Sequence, residues 1–422
     1  MDLIKDSLGA VNENDIVLIT VIRNERDILP AFLQHYASLG VDKFIIIDND
    51  SDDGSQDCLS GLDSLALYHT QQSYRDSIAG INWVNRIADE RCMNRWVLVV
   101  DADEFMILPA GIDTVQQLRS SMERRLDMGL YCPMVDFFSE DLTAAGNQAY
   151  ATFDELVAAA PLFMPFEESH LVEIGQYPYV EYRTKGGSRA ALTDSKKASP
   201  RLGKIPFVFW HQGYRYVKST HVGTPLPLGF LNGALAHFKF RPGFQERMAR
   251  EHTNRDRLDP NALSNFLSNA PGQWPPAILK NAHRYSSTDD LVAAGFMSSS
   301  TPAPASLPAK FRQLNRTKSD FFNQLAVGQA GQSAHDIIAA QQFEALLKDP
   351  TTRFTRRFRS WLYRRRLLRA HYVPELIEQP AARIESMAIF YDSYWWDIGM
   401  PFRLFGHIRK AIIWKNLFSR SP

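Results

Sequence analysis

The sequence has few cysteines, no long apolar run and no excess of charge of either sign. Its three cysteines among 422 residues fit no paired metal-ligand spacing, which argues against a structural zinc site and favours a reducing compartment. No uncharged apolar stretch reaches about 18 residues, so we expect no membrane-spanning helix. The first twenty residues carry four acids and no long apolar core, so we expect no signal peptide and a cytoplasmic location.

Positive charge is concentrated near the end of the chain, although lysine plus arginine and aspartate plus glutamate both total 47. Residues 351–374 carry eight arginines and no acid, and residues 398–422 carry five basic residues and no acid. Basic segments mixed with aromatic and aliphatic residues are typical of helices on anionic membranes. A helical subdomain packed on the rest of the protein is an equally good interpretation. Nucleic acid is not an expected partner, because no known binding motif accompanies the arginines.

Apolar segments and helical patterns alternate through the first hundred residues. Strands are predicted at residues 16–22, 44–48, 65–69 and 96–100, and helices at about 28–39 and 76–92. Asp27 is a candidate cap for the first helix, and Ser73 with Asp76 is a candidate capping box for the second. This alternation indicates an α/β protein with a parallel sheet that is covered by helices on both faces.

The pattern is less regular after residue 110. Residues 140–200 are expected to form a loop-rich insertion on the acceptor side, with short strands at 204–211 and 234–240 and a Ser/Pro/Ala linker at 297–308. We therefore predict a catalytic domain over 1–255, with a nucleotide-binding half at 1–110 and an acceptor half at 111–255. A helical extension with the linker is predicted over 256–309, and a basic, mainly helical region over 310–422.

Polar segments follow three of the predicted strands at their carboxyl ends. These are Arg23-Asn24-Glu25, residues 48–57 (the acidic loop) and residues 101–104 (the acidic turn). Ligands of parallel α/β sheets bind beyond the carboxyl ends of the strands. We therefore expect the three segments to converge in one crevice.

The acidic turn has the composition of a cation site. Asp101 and Asp103 lie two residues apart at a strand end, so both carboxylates can face one side, about 7 Å apart by strand rise. Carboxylate oxygens suit Mg²⁺ or Mn²⁺, and such a cation neutralises charge on a departing diphosphate. A solvated acidic loop is the alternative interpretation. The preceding WVLVV strand and the following Glu104-Phe105 argue against it.

Two motifs carry a family resemblance, ITVIRNERDILPAFLQHYASLGVDKFIIIDNDSDDGS and WVLVVDADEFMILP. Residues 16–109 resemble the nucleotide-binding half of a GT-A glycosyltransferase of the family 2 superfamily, in the family 2-like and family 92-like branch with an Asp-Ala-Asp-Glu-Phe signature. The resemblance implies a GT-A fold, which is a Rossmann-like, mostly parallel sheet with helices on both faces, followed here by a mainly helical C-terminal region.

The resemblance also implies roles for residues at the strand ends. Contact with the base or ribose is implied for Arg23, Asn24, Asp48 and Asp50. Asp103 is implied to bind the metal directly, and Asp101 to hold ribose or metal-bound water. Family 2 sequences usually read Asp-Asp-Gly-Ser where this chain reads DNDSDDGS over residues 48–55. Which aspartate meets the base therefore stays open.

Later motifs extend the resemblance and suggest a further metal or diphosphate ligand. They are Gly186-Gly187-x-Arg189, Lys204, Ser219-Thr220-His221 and Ala236-His237-Phe238-Lys239. His237 is the first candidate for the ligand and His221 the second, against a histidine satisfied by hydrogen bonds elsewhere. The candidates for facing the diphosphate are Lys204, Arg189 and Lys239, against solvated surface charges.

The resemblance implies an inverting enzyme, which needs a carboxylate base to take a proton from the acceptor hydroxyl. The candidates are Asp136, Glu140, Asp141, Glu167 and Glu168, of which Asp136 and Glu140 are preferred. The implied reaction moves a sugar from a nucleotide-sugar donor, UDP-sugar first, to a glycan or lipid-linked acceptor in bacterial surface polysaccharide assembly. A lipid-linked acceptor would place the protein on the inner face of the membrane.

Three other functions compete with this interpretation. A phosphatase of the haloacid dehalogenase type carries its Asp-x-Asp on the first strand, whereas this one follows about the fourth strand. A GT-A-like nucleotidyltransferase usually has an early glycine-rich loop, and residues 20–27 contain no glycine. A non-catalytic binding module derived from the GT-A fold is the third possibility, and the intact acidic turn argues against it.

Overall fold

The computed structural model describes most of the first 319 residues and little of the chain after them. The described residues are 1–146, 148–173, 180–188, 202–211, 214–253, 273–298, 307–316, 319, 347, 355, 356, 359–362 and 364. The chain divides into two compact units, Met1–Glu173 with Tyr179–Ser319, and Ile174–Pro178 with Asp320–Pro422. Most of the predicted basic helical region lies outside the described residues. The predicted domain boundaries at residues 255 and 309 stay predictions.

The N-terminal part alternates strands and helices, as predicted. Its elements are β1 (Asp2–Asp6), β2 (Ile16–Ile22), α1 (Leu29–Ser38), β3 (Lys43–Asp48), a 3₁₀ helix (Ser55–Leu59), β4 (Leu65–His69), α2 (Ile81–Arg91) and β5 (Arg95–Val99). Strands β4, β3, β2 and β5 lie side by side in that order and pair in parallel. Nearly every residue of β2 is buried, as a continuous apolar strand between two helical layers requires.

Helices cover both faces of these parallel strands. Ile16, Leu18 and Ile22 of β2 belong to the same buried cluster as Phe32 of α1. Gly80, which directly precedes α2, lies against Val21 on the opposite face. The predicted α/β class is therefore confirmed.

Both predicted helix caps differ from the structure. The N-cap of α1 is Ile28 and makes no side-chain cap, because the carboxylate of Asp27 instead accepts hydrogen bonds from Arg241. The backbone N–H of Asp76 does donate to Ser73 Oγ at 3.0 Å, but α2 begins only at Ile81. Residues 78–80 have φ values of 56°, 56° and 77°, which are not helical.

The rest of the first unit adds mainly strands. Its elements are β6 (Glu104–Ile107), α3 (Val115–Glu123), β7 (Gly129–Phe138), α4 (Phe153–Ala159), β8 (Leu162–Phe163), β9 (Phe166–Glu173), β10 (Val180–Gly186), β11 (Gly203–Trp210), β12 (Tyr216–Ser219), β13 (Val222–Gly223), β14 (Leu228–Asn232), β15 (Ala234–Phe240), α5 (Phe244–Thr253), α6 (Pro276–Asn281), β16 (His283–Arg284) and α7 (Thr288–Ala293). The prediction of a loop-rich region at 140–200 was wrong for its described part, which contains α4 and strands β8 to β10.

One large sheet runs through the unit in the order β1-β4-β3-β2-β5-β11-β7-β15-β6. Beyond the parallel strands the sheet is mixed. Strand β11 is antiparallel to β5 and β7, and β15 is parallel to β7 and antiparallel to β6. These pairings bring β11 and β15, from late in the sequence, beside the strands that flank the acidic turn.

The strand order reverses direction between β2 and β5. From β2 the chain proceeds outward through β3 and β4, then returns to the other side of β2 as β5. Such a switch point opens a crevice beyond the carboxyl ends of the two strands, where ligands of open α/β sheets bind. Within the described part of the chain, no helix has both the length and the apolar character needed to cross a membrane.

Candidate active site

The segment after β2 is joined to the acidic loop by hydrogen bonds. The backbone N–H of Asn24 donates to Ser51 Oγ at 3.0 Å, and Asn24 Oδ1 accepts from the backbone N–H of Asp52 at 2.9 Å. Asn24 and Asp50 have φ values of 58° and 60°, which asparagine and aspartate tolerate better than most residues. The structure therefore brings Arg23-Asn24 and the acidic loop to one sheet edge, as predicted.

Two aspartates of the acidic loop have different environments. Asp48 is completely buried, and its carboxylate accepts hydrogen bonds from the Ser51 hydroxyl and, at 2.6 Å, from Gln56 Nε2. Asp50 is about half exposed, with Oδ1 lying 3.1 Å from Gln71 Nε2 and 3.4 Å from His69 Nε2. The hydrogen bond from Gln71 lowers the pKa of Asp50. Asp48 thus shapes the loop, while Asp50 presents a carboxylate to solvent.

The acidic turn is fixed by its own backbone and by α1. The N–H of Glu104 donates to the carbonyl of Asp101 at 3.0 Å, and Glu104 Oε2 accepts from the N–H of Asp101 at 3.1 Å. The Tyr36 hydroxyl donates to the Glu104 carbonyl at 2.8 Å. The next residue, Phe105, is buried in edge-to-face contact with Phe32 and contributes about 2–3 kcal/mol through burial. The carboxylates are therefore held on a rigid support.

Lys204 reaches the acidic turn from β11. The pairing of β11 with β5 begins at Phe207, opposite Leu98, and β11 is irregular between Lys204 and Phe207. Lys204 Nζ is 2.8 Å from Asp101 Oδ2 and 2.6 Å from Glu104 Oε1, and the lysine side chain is fully buried. Burial alone would lower the pKa of Lys204, but the two carboxylates raise it above its ordinary value. The ammonium therefore remains charged and bridges both acids.

The burial of Glu104 makes this ammonium necessary. Burial, followed by the neighbouring charge of Asp101, raises the pKa of Glu104 to about 7, and Lys204 opposes the rise. The side chain of Asp101, in contrast to that of Glu104, is 49% exposed to solvent. A buried carboxylate without a cation would be strongly unfavourable. Lys204 thus stabilises the inner acid while leaving Asp101 accessible.

His237 lies between two other carboxylates. In β15 it stands opposite Glu104 of β6 and Asp136 of β7. Its Nδ1 is 2.5 Å from Asp136 Oδ1, and its Nε2 is 3.2 Å from Asp103 Oδ2. Burial lowers the pKa of His237, but Asp103 and Asp136 outweigh burial and raise it to about 9. The ring therefore carries a positive charge in the free protein.

Asp103 stays ionised despite its enclosed position. Burial raises the pKa of its carboxyl, but His237, Lys239 and Arg241 hold the pKa well below its usual range. The carboxylate is 21% exposed, so it can still meet a ligand. Asp103 is therefore an anionic group at the floor of the crevice.

Asp103 and His237 together offer a partial cation site. Among the described residues, no group of three or more His, Cys, Asp and Glu side chains is arranged to hold a metal ion. The oxygen of Asp103 and Nε2 of His237 are 3.2 Å apart. Neighbouring ligands of an octahedral ion with bonds of about 2.1 Å are separated by about 3 Å. The pair suits a divalent cation that takes its other ligands from phosphate and water, and the imidazole nitrogen favours Mn²⁺ over Mg²⁺, which prefers oxygen ligands.

Arg241 connects the site to the segment after β2, a connection that the sequence analysis missed. Its guanidinium donates two hydrogen bonds of 2.9 Å to Asp27 and lies 3.4 Å from Glu25 Oε2. Burial raises the pKa of Glu25 to about 8, where Arg241 opposes the rise and Asp103 adds to it. The only signal in the sequence was an arginine directly after an apolar strand. Arg241 and Asp27 are separated by 214 positions in the chain, so no local motif links them.

Three other predicted residues, His221, Glu140 and Asp141, lie in different surroundings. His221 Nδ1 is 2.9 Å from the carbonyl oxygen of Gly203, and the residue lines a small cavity beside β11. Glu140 forms an exposed salt bridge of 2.7 Å with Arg284. Asp141 is exposed and accepts hydrogen bonds from Thr143. Arg189 and the side chains of Glu167 and Glu168 lie outside the described residues.

Comparison with known proteins gives one short sequence similarity and several slight structural ones. No family model matches the chain. Over 108 residues the chain is 30% identical to a Glycosyltransferase family 92 protein of Oryza sativa subsp. japonica, covering 25% of this chain and 18% of the relative. The chain therefore spans less than a fifth of that relative. This similarity supports a glycosyltransferase-like family for the chain.

The similar solved structures include a mannose-1-phosphate geranyltransferase from Thermus thermophilus, with 12% identity, a TM-score of 0.23, and coverage of 61% of this chain and 66% of that one. A UDP-glucose pyrophosphorylase complexed with UDP-glucose has 10% identity, a TM-score of 0.21, and coverage of 46% and 76%. Likeness at these TM-scores is too slight to support an argument. The functional interpretation therefore depends on the site itself.

Proposed function

We propose that this protein is a divalent-cation-dependent glycosyltransferase that uses a nucleotide-sugar donor, with UDP-sugars as the first candidates. The observation that carries the proposal is the position of Asp103 and His237, whose ligand atoms lie 3.2 Å apart at the switch point of the sheet. Crevices at such switch points bind nucleotides in α/β proteins. The short similarity to a glycosyltransferase supports the same conclusion.

The nucleoside is assigned to the sheet edge formed by the segment after β2 and the acidic loop. Asp50 is the carboxylate best placed to accept hydrogen bonds from a base or a ribose hydroxyl, because it is half exposed and ionised. Asn24 and Arg23 complete this edge. Asp48 acts indirectly by holding the loop in shape, since its oxygens already accept from Ser51 and Gln56.

Asp103 and His237 are the proposed ligands of a Mn²⁺ or Mg²⁺ ion. When bound, the ion would offset negative charge on the diphosphate as it leaves the sugar. Asp136 fixes the ring of His237 through Nδ1, so that Nε2 faces Asp103. A carboxylate on the far nitrogen is the usual support of a metal-binding histidine. Asp136 is therefore a positioning residue in this proposal and not the base.

The acceptor side contains the second carboxylate that is preferred as the base. Of the two carboxylates preferred as the base, Asp136 is buried against His237, whereas Glu140 is exposed in a salt bridge with Arg284 and is the one that solvent can reach. We propose a glycan or lipid-linked acceptor in bacterial surface polysaccharide assembly. A cytoplasmic enzyme that reaches anionic lipid through its basic C-terminal segments would meet such an acceptor at the inner face of the membrane.

A thermal-shift panel tests the proposal. The protein is heated with UDP, GDP, CDP and ADP, and with the common sugar nucleotides, each with Mn²⁺, Mg²⁺ or EDTA. We expect stabilisation by UDP or a UDP-sugar that requires the divalent cation and disappears in Asp103→Ala. The matched control is Asp113→Ala, which removes an exposed aspartate outside the site and should leave the shift unchanged.

A turnover assay with the nucleotide-sugar that stabilises the protein then shows whether the protein is an enzyme or a non-catalytic binding module. We expect release of the nucleoside diphosphate that depends on Mn²⁺ and increases with a glycan acceptor. If no nucleotide stabilises the protein with any divalent cation, the proposed function is wrong.

A further inference from the structure

Helix α3 ends in the same kind of turn as α1 and α7, but with a different residue at the left-handed position. In each of the three turns one backbone N–H donates to the carbonyl five residues earlier, and the N–H before it donates to the carbonyl three residues earlier. These two bonds form a Schellman motif, which needs a residue with positive φ. Gly40 and Gly295 take this position after α1 and α7, with φ values of 92° and 79°. After α3 the position is taken by Leu126, with a φ of 57°.

The side chain of Leu126 is not buried in exchange for this backbone conformation. Leu126 is 74% exposed, the largest exposed fraction of any large apolar residue in the described part of the chain. A left-handed backbone is strained for a residue with a Cβ, and glycine would relieve the strain. A single exposed leucine is ordinary on a protein surface. One that is held out on a strained turn indicates a use for its side chain.

Four arginines lie around this turn. Arg124 is exposed, and the guanidinium groups of Arg125 and Arg316 lie 3.3 and 3.6 Å from the carboxylate of Asp127. Burial raises the pKa of this carboxyl, and Arg312 is a third cation that opposes the rise. We call the following residues the α3 surface: Arg124, Arg125, Leu126, Arg312 and Arg316.

The charge of the α3 surface is complementary to an anionic bilayer. Its four arginines and the single carboxylate of Asp127 leave a net charge of +3. Glu123, at the end of α3, does not cancel this charge, because its carboxylate is paired with Arg119 at 2.7 Å. A projecting leucine can enter the boundary between headgroups and acyl chains, where guanidinium groups bind lipid phosphates. Along the chain, Arg316 is followed by the segment 351–374 with its eight arginines.

The α3 surface lies at the opposite end of the sheet from the crevice. Strand β7 runs parallel to β5, because β11 is antiparallel to both. The α3 surface directly precedes β7, whereas Asp136, near the other end of β7, contacts His237. The strand from Gly129 to Asp136 spans about 23 Å. Contact with a bilayer at the α3 surface therefore leaves the nucleotide site open.

We propose that the α3 surface docks the protein on an anionic membrane, with Leu126 inserted among the headgroups and the arginines bound to lipid phosphates. This surface belongs to the first compact unit and is separate from the basic segments after residue 350. Docking at the α3 surface does not depend on the proposed reaction, because no residue of the crevice takes part in it.

A spin label at residue 126 tests the insertion directly. The label is attached to Leu126→Cys in a Cys58→Ser background, because Cys58 is partly exposed. Leu3→Cys is the matched control, since Leu3 is 44% exposed next to an acid, Asp2. On vesicles of phosphatidylcholine with phosphatidylglycerol, we expect the label at residue 126 to become accessible to oxygen and shielded from a water-soluble nickel chelate. The label at residue 3 should stay in water.

Three results of this experiment would overturn the proposal. The label at residue 126 could stay in water while the protein is bound to vesicles, which would assign the contact to another part of the chain. The protein could fail to bind phosphatidylglycerol vesicles at all. The label could become shielded in concentrated protein without vesicles, which would show that a second copy of the chain covers the surface.

Leu126→Gly removes the side chain and supplies the residue that the turn favours. Its melting temperature should therefore equal or exceed that of the wild type. We expect its Kd for phosphatidylglycerol vesicles, measured by cosedimentation, to weaken at least about fivefold, because the transfer of the leucine is lost. Arg124→Gln should weaken the Kd by about fivefold, and the exposed Arg86→Gln on α2 should not change it. An unchanged Kd in Leu126→Gly would contradict the proposal.

Discussion

The acidic loop after β3 and the acidic turn after β5 flank β2 at the same sheet edge, yet their carboxylates find partners in different ways. In the loop, Asp48 is held by Ser51 and Gln56, which lie three and eight residues away in the chain. In the turn, the partners of Asp101 and Asp103 are Lys204 and His237, which come from β11 and β15. The hydrogen bonds of Asp48 therefore form within the loop, whereas the contacts of Asp101 and Asp103 form only when distant strands pair in the sheet.

The difference in partners explains why the acidic loop has a structural role and why the acidic turn can bind a ligand. Asp48 is fully buried and each of its oxygens accepts a short-range hydrogen bond, so its carboxylate is not open to an ion from solvent. The long-range partners of the turn leave Asp101 and Asp103 partly exposed, with side-chain exposures of 49% and 21%. Charged groups in a low-dielectric crevice act strongly on a ligand.

The largest effect should follow from Asp103→Asn, which removes the anionic ligand of the turn and nearly preserves its shape. We expect turnover to fall at least about a thousandfold, because a bound cation supplies several kcal/mol of charge stabilisation. The melting temperature should fall as well, because the cations around Asp103 lose their carboxylate, so turnover is compared at a temperature where the variant is folded; Asp113→Asn should behave as wild type. Full turnover in Asp103→Asn would show that the carboxylate of Asp103 is not needed for the reaction.

A large loss of stability is expected from Arg241→Met, which breaks another long-range pairing at this edge. The partly buried carboxylates of Asp27 and Glu25 would lose the buried guanidinium that they share, and the free energy of unfolding should fall by about 3 kcal/mol. Urea denaturation measures the change. Adding Asp27→Asn to this variant should recover part of the loss, since it removes the uncompensated charge. If the single and double variants are equally unstable, charge pairing is not the cause.

His35, which lies in α1 against the strand that follows the acidic turn, should make the stability of the protein depend on pH. This ring is buried with Nε2 2.9 Å from the carbonyl of Met106, and burial lowers its pKa from 6.5 to about 4. The unfolded chain therefore binds a proton more readily than the folded one. The contribution is fully present above about pH 6.5 and is lost between about pH 6.5 and 4, amounting to about 3 kcal/mol. Denaturation of His35→Gln across this range should lack that part of the pH dependence.

The smallest effect is expected in the acidic loop itself. Asp48→Asn replaces a buried carboxylate that accepts hydrogen bonds from Ser51 and Gln56 with an amide that accepts fewer. The free energy of unfolding should therefore fall by about 1–3 kcal/mol. Asp52→Asn in the same loop is exposed and should change stability by less than about 0.5 kcal/mol. Equal effects from the two substitutions would show that Asp48 does not hold the loop together.

The same contrast separates what the sequence could predict from what it could not. Apolar runs and Asx-rich turns are local signals, and they predicted β2, β3, β4, β5 and the convergence of Arg23-Asn24 with the acidic loop. The position of Asp101 and Asp103 at a strand end followed from the same signals. Local signals were sufficient where the partners of a residue are its neighbours in sequence.

Pairings between distant strands could not be predicted in this way. Asp27 has the sequence context of a helix cap, and only the fold shows that Arg241 takes its carboxylate. Lys204 has the sequence context of a surface charge, and only the fold shows that its ammonium is buried against Asp101 and Glu104. His237 was selected by resemblance, and its position between Asp103 and Asp136 depends on two pairings of β15.

Anomalous diffraction at the manganese edge, from crystals grown with Mn²⁺ and UDP, tests the central claim most directly. We predict a single peak in contact with Asp103 and His237, with the diphosphate bound to the same ion and the nucleoside beside Asn24 and Asp50. A peak between Asp101 and Glu104, or a nucleotide bound away from this edge, would contradict the account.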